Sequence, residues 1–246
     1  MRERGTASME AKALVREYDG ERAVDGVDLR VDGGEIHAIV GLNGAGKTTL
    51  MRLLLGMVHP TSGSALIGGV PPTSAGPEVW ERVGCLIETP FAYPELTVRE
   101  NLVAAALLHG LPRDRIDSHV GEVVEGFALG RWESRRSRVL SLGNRQRLGL
   151  AAALVHRPDV IVLDEPANSL DPAGVVFIRD LLRDLAADGA AVLVSSHHLD
   201  QMARVADRIT MLHRGAVVGA LDPGGRDLEQ EFFERIYQMD LRGGRA

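Results

Sequence analysis

Residues 36–49 read Ile36-His37-Ala38-Ile39-Val40-Gly41-Leu42-Asn43-Gly44-Ala45-Gly46-Lys47-Thr48-Thr49. A strand-sized apolar run leads into Gly41–Thr48, which fits the phosphate-loop pattern G-x-x-x-x-G-K-[ST] without a mismatch, and a helical stretch to about Leu55 follows. This strand-loop-helix order gives the pattern its meaning. Glycines let backbone N–H groups wrap a phosphate, and the helix N-terminus adds its partial positive charge. Lys47 is placed to reach the β- and γ-phosphates of a nucleotide and the Thr48 hydroxyl to ligate Mg²⁺. The expected nucleotide-binding set is therefore Gly41, Leu42, Asn43, Gly44, Ala45, Gly46, Lys47, Thr48 and Thr49.

A phosphate loop needs a second element, a buried strand that ends in an acid. Val160-Ile161-Val162-Leu163-Asp164-Glu165 supplies one. Asp164 is expected to hold the Mg²⁺ shell through water, and Glu165, one residue further out, to polarise an attacking water as general base. A strand ending in two acids is by itself only a solvated strand end; the phosphate loop turns it into half of a site.

Around these two elements, short β-branched or apolar runs alternate with longer helical patterns, which predicts an α/β layering. Strands are expected at Ala11–Val15, Val27–Val31, Ile36–Val40, Ser64–Ile67, Val83–Ile87, Val160–Leu163, Ala191–Val194, Ile209–Leu212 and Ala216–Val218. Between Pro90 and Pro158 the strand signal vanishes and a helical insertion is expected, opened by the capping box Thr97…Glu100 and ending its first helix at Gly110 before Pro112. Asp171 with Pro172 starts another helix, which Asp188-Gly189 stops. A last helix is expected from Arg226 to Tyr237.

The composition excludes several classes. The chain has 246 residues, a net charge of −6 and one cysteine, Cys85, so an internal disulfide framework is ruled out and a sizeable core is affordable in chain length. No window approaches the ~20 consecutive apolar residues of a spanning helix, and Met1–Lys12 carries no apolar secretory core. A cytoplasmic compartment is expected. Net acidity leaves no electrostatic footprint for nucleic acid, and the one basic cluster, Arg131–Arg147, reads as a solvated helix face without an aromatic stacking platform. Of the 28 basic residues only Lys12 and Lys47 are lysine, so the Asn-Lys-x-Asp segment that reads guanine is absent.

Leu140-Ser141-Leu142-Gly143-Asn144-Arg145-Gln146-Arg147-Leu148 lies between the two phosphate-site elements, Ser141 falling 94 positions after Lys47 and 23 before Asp164. A serine at a helix start presents its hydroxyl and backbone N–H groups to an anion, and Gly143 permits close approach. At this point the chain resembles the ATP-binding subunits of ABC transporters, whose signature segment occupies this place. The resemblance runs from about Lys12 to about Phe233.

That resemblance implies a P-loop NTPase of the ABC ATPase type, with a RecA-like α/β core, an antiparallel β subdomain and an inserted helical subdomain. One ABC ATPase domain is expected over 9–240, with 1–89 and 157–225 as the core, 90–156 as the helical subdomain carrying the signature, and 226–246 as C-terminal helix and tail. It implies that Tyr18 stacks on adenine and that His197, 32 positions after Glu165, is the switch histidine at the γ-phosphate. It also implies that Ser141, Gly143 and the Ser169-Leu170-Asp171 loop contact the nucleotide of a second copy. ATP and Mg²⁺ are the implied ligands. The implied partners are a membrane-spanning subunit and a second copy in a head-to-tail ATP sandwich, the chain resting on the cytoplasmic face of the membrane. His198 is adjacent to His197, so the two side chains are expected to diverge, which argues against a zinc pair.

Two positions depart from the family pattern. The signature ordinarily reads Ser-Gly-Gly-Gln, whereas Leu142 and Asn144 stand at its second and fourth places. Where the family places a glutamine that contacts Mg²⁺ and the attacking water, this chain has Glu88, whose carboxylate can ligate the metal but adds negative charge beside the phosphates. The segment Gly84–Leu102 and the Ser-Leu-Gly form of the signature resemble bacitracin- and lantibiotic-type exporters, where Phe91 and Tyr93 would shape a groove for the membrane subunit. A non-transport ABC ATPase is the rival reading; it lacks support in coiled-coil heptads, zinc motifs or a second domain. A regulatory subunit with weak hydrolysis is kept alive by Glu88.

Overall fold

The computed structural model describes residues 8–197, 199, 204–225 and 227–243. Residues 1–7 and 244–246, together with His198 and Arg226, at which the C-terminal helix was expected to begin, lie outside the described residues.

The strands are β1 (Ser8–Tyr18), β2 (Glu21–Asp32), β3 (Ile36–Val40), β4 (Ser62–Ile67), β5 (Val83–Leu86), β6 (Val160–Asp164), β7 (Ala191–Ser196), β8 (Arg208–His213) and β9 (Ala216–Leu221). The helices are α1 (Lys47–Leu54), α2 (Pro77–Trp80), α3 (Val98–Leu108), α4 (Arg113–Gly126), α5 (Leu142–Leu154), α6 (Pro172–Ala187) and α7 (Leu228–Gly243). One sheet is antiparallel, in the order β2-β1-β4; the other runs β5-β6-β7-β3-β8-β9 and is parallel except for β9. This is the α/β core with antiparallel and helical additions that the sequence implied.

The central strands are buried on both faces, which is why they read as unbroken apolar runs rather than as alternation. Their two-residue period still sorts them into two cores. Ile36, Ala38, Val40, Ile161, Leu163, Val192 and Val194 face the helical side, where they join Leu102, Val120, Leu148, Leu150, Ile178, Leu182 and Phe232. Ile39, Val160, Val162, Ala191 and Leu193 face the other way, onto α1 and the antiparallel sheet through Leu50, Met51, Leu54, Val27 and Ile67. The sheet is thus the shared wall of both cores, and the C-terminal ends of β3, β6 and β7 emerge side by side in register: Val40 pairs with Ser196, and Asp164 with Ser195. In open parallel sheets that edge is where ligands bind.

Local signals act where the sequence placed them. Thr97 and Glu100 form a reciprocal capping box, Oγ1 accepting from Glu100 N–H at 3.2 Å and Oε2 accepting from Thr97 N–H at 2.7 Å. Asp171 caps α6 by accepting from Gly174 N–H at 3.0 Å, with Pro172 in the first turn.

Several expectations change, and α7 runs on to Gly243 instead of stopping at Tyr237. β1 and β2 are far longer than the short runs Ala11–Val15 and Val27–Val31, because the turn Asp19-Gly20 (φ +50° and +87°) joins them into one hairpin in which Tyr18 pairs with Glu21. β5 ends at Leu86 rather than Ile87. The Arg131–Arg147 cluster is not one helix face: it spans two 3₁₀ turns, Gly130–Trp132 and Ser137–Val139, and the first turns of α5. It does contain an aromatic contact, the Arg131 guanidinium lying 5.2 Å from the Trp132 ring centre, and Glu95 and Asp171 partly neutralise it through Arg136, Arg138 and Arg147.

Candidate functional site

The loop after β3 is shaped by two constraints. Gly46 caps α1 in the left-handed region at φ +103°, and a Cβ there would stand 2.3 Å from the carbonyl of Ala23, so no other residue fits. The loop is also pinned from behind, where Gly215 N–H donates to the Ala45 carbonyl at 2.9 Å. Gly41–Gly46 consequently wraps ahead of α1 as the sequence predicted, and Thr48 and Thr49 lie in the first turn of α1.

Lys47 is 7% exposed, yet its ammonium is matched on every side: Nζ donates to the carbonyl of Gly41 at 2.7 Å and of Leu42 at 3.4 Å and lies 3.7 Å from the Glu165 carboxylate. A buried cation held by its own loop carbonyls can exchange those weak acceptors for phosphate oxygens. The adjacent Thr48 hydroxyl donates to Asp164 Oδ2 at 2.7 Å. A hydroxyl and a buried carboxylate side by side are the hard oxygen donors that suit Mg²⁺, whose remaining positions come from phosphates and water. Among the described residues no three His, Cys, Asp or Glu side chains gather into a metal cluster.

The acids at the end of β6 divide into two environments. Asp164 is 4% exposed and accepts the hydroxyls of Thr48 and of Ser195, the latter a very short contact. Glu165 turns away into the left-handed region, φ +50°, with its N–H donating to Ser195 Oγ at 2.9 Å. Its carboxylate accepts from His197, Nδ1 lying 2.9 Å from Oε2, while the other oxygen faces Lys47. Lys47, Thr48, Asp164, Glu165 and His197 therefore form one connected group at the edge of β3, β6 and β7. Ser195 is a member that the sequence reading did not single out; its only sequence signal is that an otherwise apolar strand ends in two serines.

Glu88 sits apart from this group in its hydrogen bonding. It adopts φ +59°, and its carboxylate pairs with Arg52 of α1 at 2.5 Å. The extra negative charge at this position thus comes with a neutralising guanidinium. Tyr18 lies at the end of β1, 40% exposed, with the Arg16 guanidinium 4.3 Å from its ring centre and Arg16 itself anchored to the carbonyl of His59 at 2.9 Å. The ring is a backed, half-open platform.

The signature residues assemble elsewhere. Ser141 caps α5, accepting from Asn144 N–H at 3.3 Å. Gly143 lies against the Ser169 carbonyl, where a Cβ would be at 2.7 Å, so the close approach depends on glycine. Ser141, Gly143, Asn144, Arg147, Ser169 and Asp171 line one open hollow, and no phosphate-loop residue lines it. Asp171 has two partners within the chain: the Gly174 N–H and the Arg147 guanidinium at 2.5 Å, which together hold its carboxyl below the usual range, the backbone bond contributing most.

A second hollow, apolar, lies beside β5 between α3 and α5. Leu86, Ile87, Phe91, Tyr93, Leu108 and Leu148 line it, and Phe91 and Leu108 are 71% and 75% exposed. No helix among the described residues is long and apolar enough to cross a membrane.

The comparisons with known proteins agree with this geometry. A family model described as ABC transporter matches residues 24–168. The chain is 36% identical over 206 residues to the bacitracin transport ATP-binding protein BcrA of Bacillus licheniformis, covering 83% of the chain and 66% of that protein. It is 37% identical over 241 residues to the daunorubicin/doxorubicin resistance ATP-binding protein DrrA of Streptomyces peucetius, covering 98% and 72%. The chain thus spans only about two thirds to three quarters of the length of these relatives. Among solved structures, the ATP-binding subunit of an ABC transporter superposes with a TM-score of 0.86 at 30% identity, over 93% of this chain and 99% of that one.

Proposed function

The chain belongs to the ABC transporter family as an ATP-binding, ATP-hydrolysing subunit, and we propose that the transporter it powers is an exporter of drugs or antimicrobial peptides. The observation that carries the catalytic part is the connected group at one sheet edge: Lys47 against Glu165, Glu165 against His197, and Thr48 against Asp164.

In this reading the backbone N–H groups of Gly41–Thr49 and the Lys47 ammonium hold the phosphates, and Tyr18 carries the adenine. Thr48 and Asp164 hold Mg²⁺, which when bound neutralises charge developing on the transferred phosphoryl group. Glu165 takes the proton of the attacking water, and His197 keeps that carboxylate aimed and meets the γ-phosphate. Catalysis is mainly positioning and electrostatics.

The signature hollow supports the head-to-tail dimer. Ser141, Gly143 and Asp171 line a hollow that no phosphate-loop residue lines, with the Arg147 guanidinium offsetting the Asp171 carboxylate, which supports a γ-phosphate arriving from a second copy. The exposed apolar hollow at Phe91, Tyr93 and Leu108 supports docking of a cytoplasmic helix of a separate membrane-spanning subunit, and with it a position for the chain on the cytoplasmic face of the membrane.

The test is Glu165→Gln. It retains shape and ATP binding but removes the base, so ATP is expected to convert the variant into a stable dimer on size-exclusion chromatography with light scattering. A variant that stays monomeric at saturating ATP while binding it normally would overturn the sandwich.

A further inference from the structure

The left-handed turn at Glu165 is hard to hold. An L-residue in that region brings its Cβ too close to the following carbonyl oxygen, and the next residue is Pro166, whose ring pushes the residue before it toward extended backbone. Proline also brings no N–H of its own to fasten the turn. Such a conformation persists only where its surroundings over-determine it.

Two side chains do so, one at the Glu165 N–H and one at the Pro166 carbonyl. Ser195, fixed to Asp164, takes the N–H of Glu165. Gln146 Nε2 donates to the carbonyl of Pro166 at 3.1 Å, from a side chain only 5% exposed. The Glu165 carbonyl accepts from Asn168 N–H at 3.1 Å, which closes the turn locally. Gln146 stands on α5, little more than one turn after Ser141. The same helix meets the chain beyond Glu165 twice more, through Gly143 against Ser169 and Arg147 against Asp171.

We propose that Gln146 is a positioning residue for hydrolysis: its amide, by holding the Pro166 carbonyl, fixes the turn that aims the Glu165 carboxylate and ties that aim to the signature helix. The inference rests on the reading of Glu165 as the base. The Gln146 side chain is buried and its amide is engaged by the Pro166 carbonyl, outside the phosphate loop, so its loss is expected to act on kcat and leave ATP affinity alone. Small misplacements of a catalytic group have large kinetic effects, and the expected loss is roughly tenfold.

Gln146→Met keeps length and volume without a donor. It is expected to lower kcat roughly tenfold while KM for ATP and the thermal midpoint stay near those of the parent. Gln146→Glu adds a readout that a packing role lacks: the ionised carboxylate repels the Pro166 carbonyl, whereas the protonated one donates to it. Its kcat relative to the parent is therefore expected to rise as pH falls from about 8 to about 6, and this arm decides the matter if the methionine variant does not fold. A Gln146→Met kcat within about twofold of the parent, a parallel loss of ATP affinity, or a Gln146→Glu profile parallel to that of the parent overturns the proposal. Glu165→Gln, run alongside, separates the two readings: retained turnover there removes the base and the positioning role with it, whereas lost turnover there beside an unimpaired Gln146→Met overturns the positioning role alone.

Discussion

The backbone at Glu165 makes a quantitative prediction that separates strain from chemistry. Glu165→Ala and Glu165→Gly both delete the carboxylate that faces Lys47 at 3.7 Å and accepts from His197 at 2.9 Å, so both lose the same contacts. They differ in what remains at φ +50°. Alanine keeps the penalty of a left-handed L-residue, about 1–2 kcal/mol. Glycine is free of it but has more unfolded-state freedom to lose, about 0.4–1 kcal/mol. The difference leaves Glu165→Gly more stable than Glu165→Ala by about 0.5–1 kcal/mol. For a chain of this size that is a midpoint gap of roughly 1–4 °C. Paired urea and thermal unfolding of the two variants, with phosphate release measured on the same preparations, forms the assay. Both variants are expected to bind ATP and release no phosphate. An alanine variant as stable as the glycine one would refute an imposed left-handed turn, and turnover in either would remove Glu165 from the chemistry.

Two further outcomes are expected. His156 is buried, donates from Nε2 to the Val83 carbonyl at 3.1 Å, stacks on His109 at 3.8 Å, and has its pKa pushed down to about 3, chiefly by burial and then by the neighbouring His109. The unfolded chain takes up this proton near the ordinary value and the folded chain does not, so the stabilisation is complete above pH ~6.5 and falls with pH toward about 3, by about 2 kcal/mol at pH 5. His156→Phe, which stacks but does not titrate, is expected to shrink the stability difference between pH 8 and pH 5 by about that amount; an unchanged difference in denaturant midpoints would contradict it. Glu88→Gln gives up the ion pair with Arg52 and restores the family's usual residue, so steady-state turnover is expected to hold or rise, whereas its complete loss would assign the carboxylate a task of its own.

Much of this was legible in the residues because the signals are local. Gly41–Thr48 needs a tight turn before a helix, and Val160–Leu163 is apolar because both sheet faces cover it. The caps at Thr97 and Asp171 are formed within three residues. What escaped is non-local or half-exposed. The β1–β2 hairpin carries charges such as Lys12, Arg16, Glu21 and Arg22 on an open face, and a kink at Ala13 (φ +44°) breaks its two-residue rhythm, so only its apolar middle read as strand. The Gln146 amide meets Pro166 twenty residues away in sequence, and no periodicity announces such a contact. Arg52 opposite Glu88 is hidden in the same way: the departure at position 88 was visible, its neutralising partner was not.

The central claim is that the connected group at the ends of β3, β6 and β7 hydrolyses ATP. The most direct measurement is phosphate release from ATP by the purified chain with and without Mg²⁺, beside Glu165→Gln at matched nucleotide occupancy. The account predicts Mg²⁺-dependent release by the parent and none above background by the variant, with ATP bound equally by both. Release by Glu165→Gln at the parent's rate would contradict it.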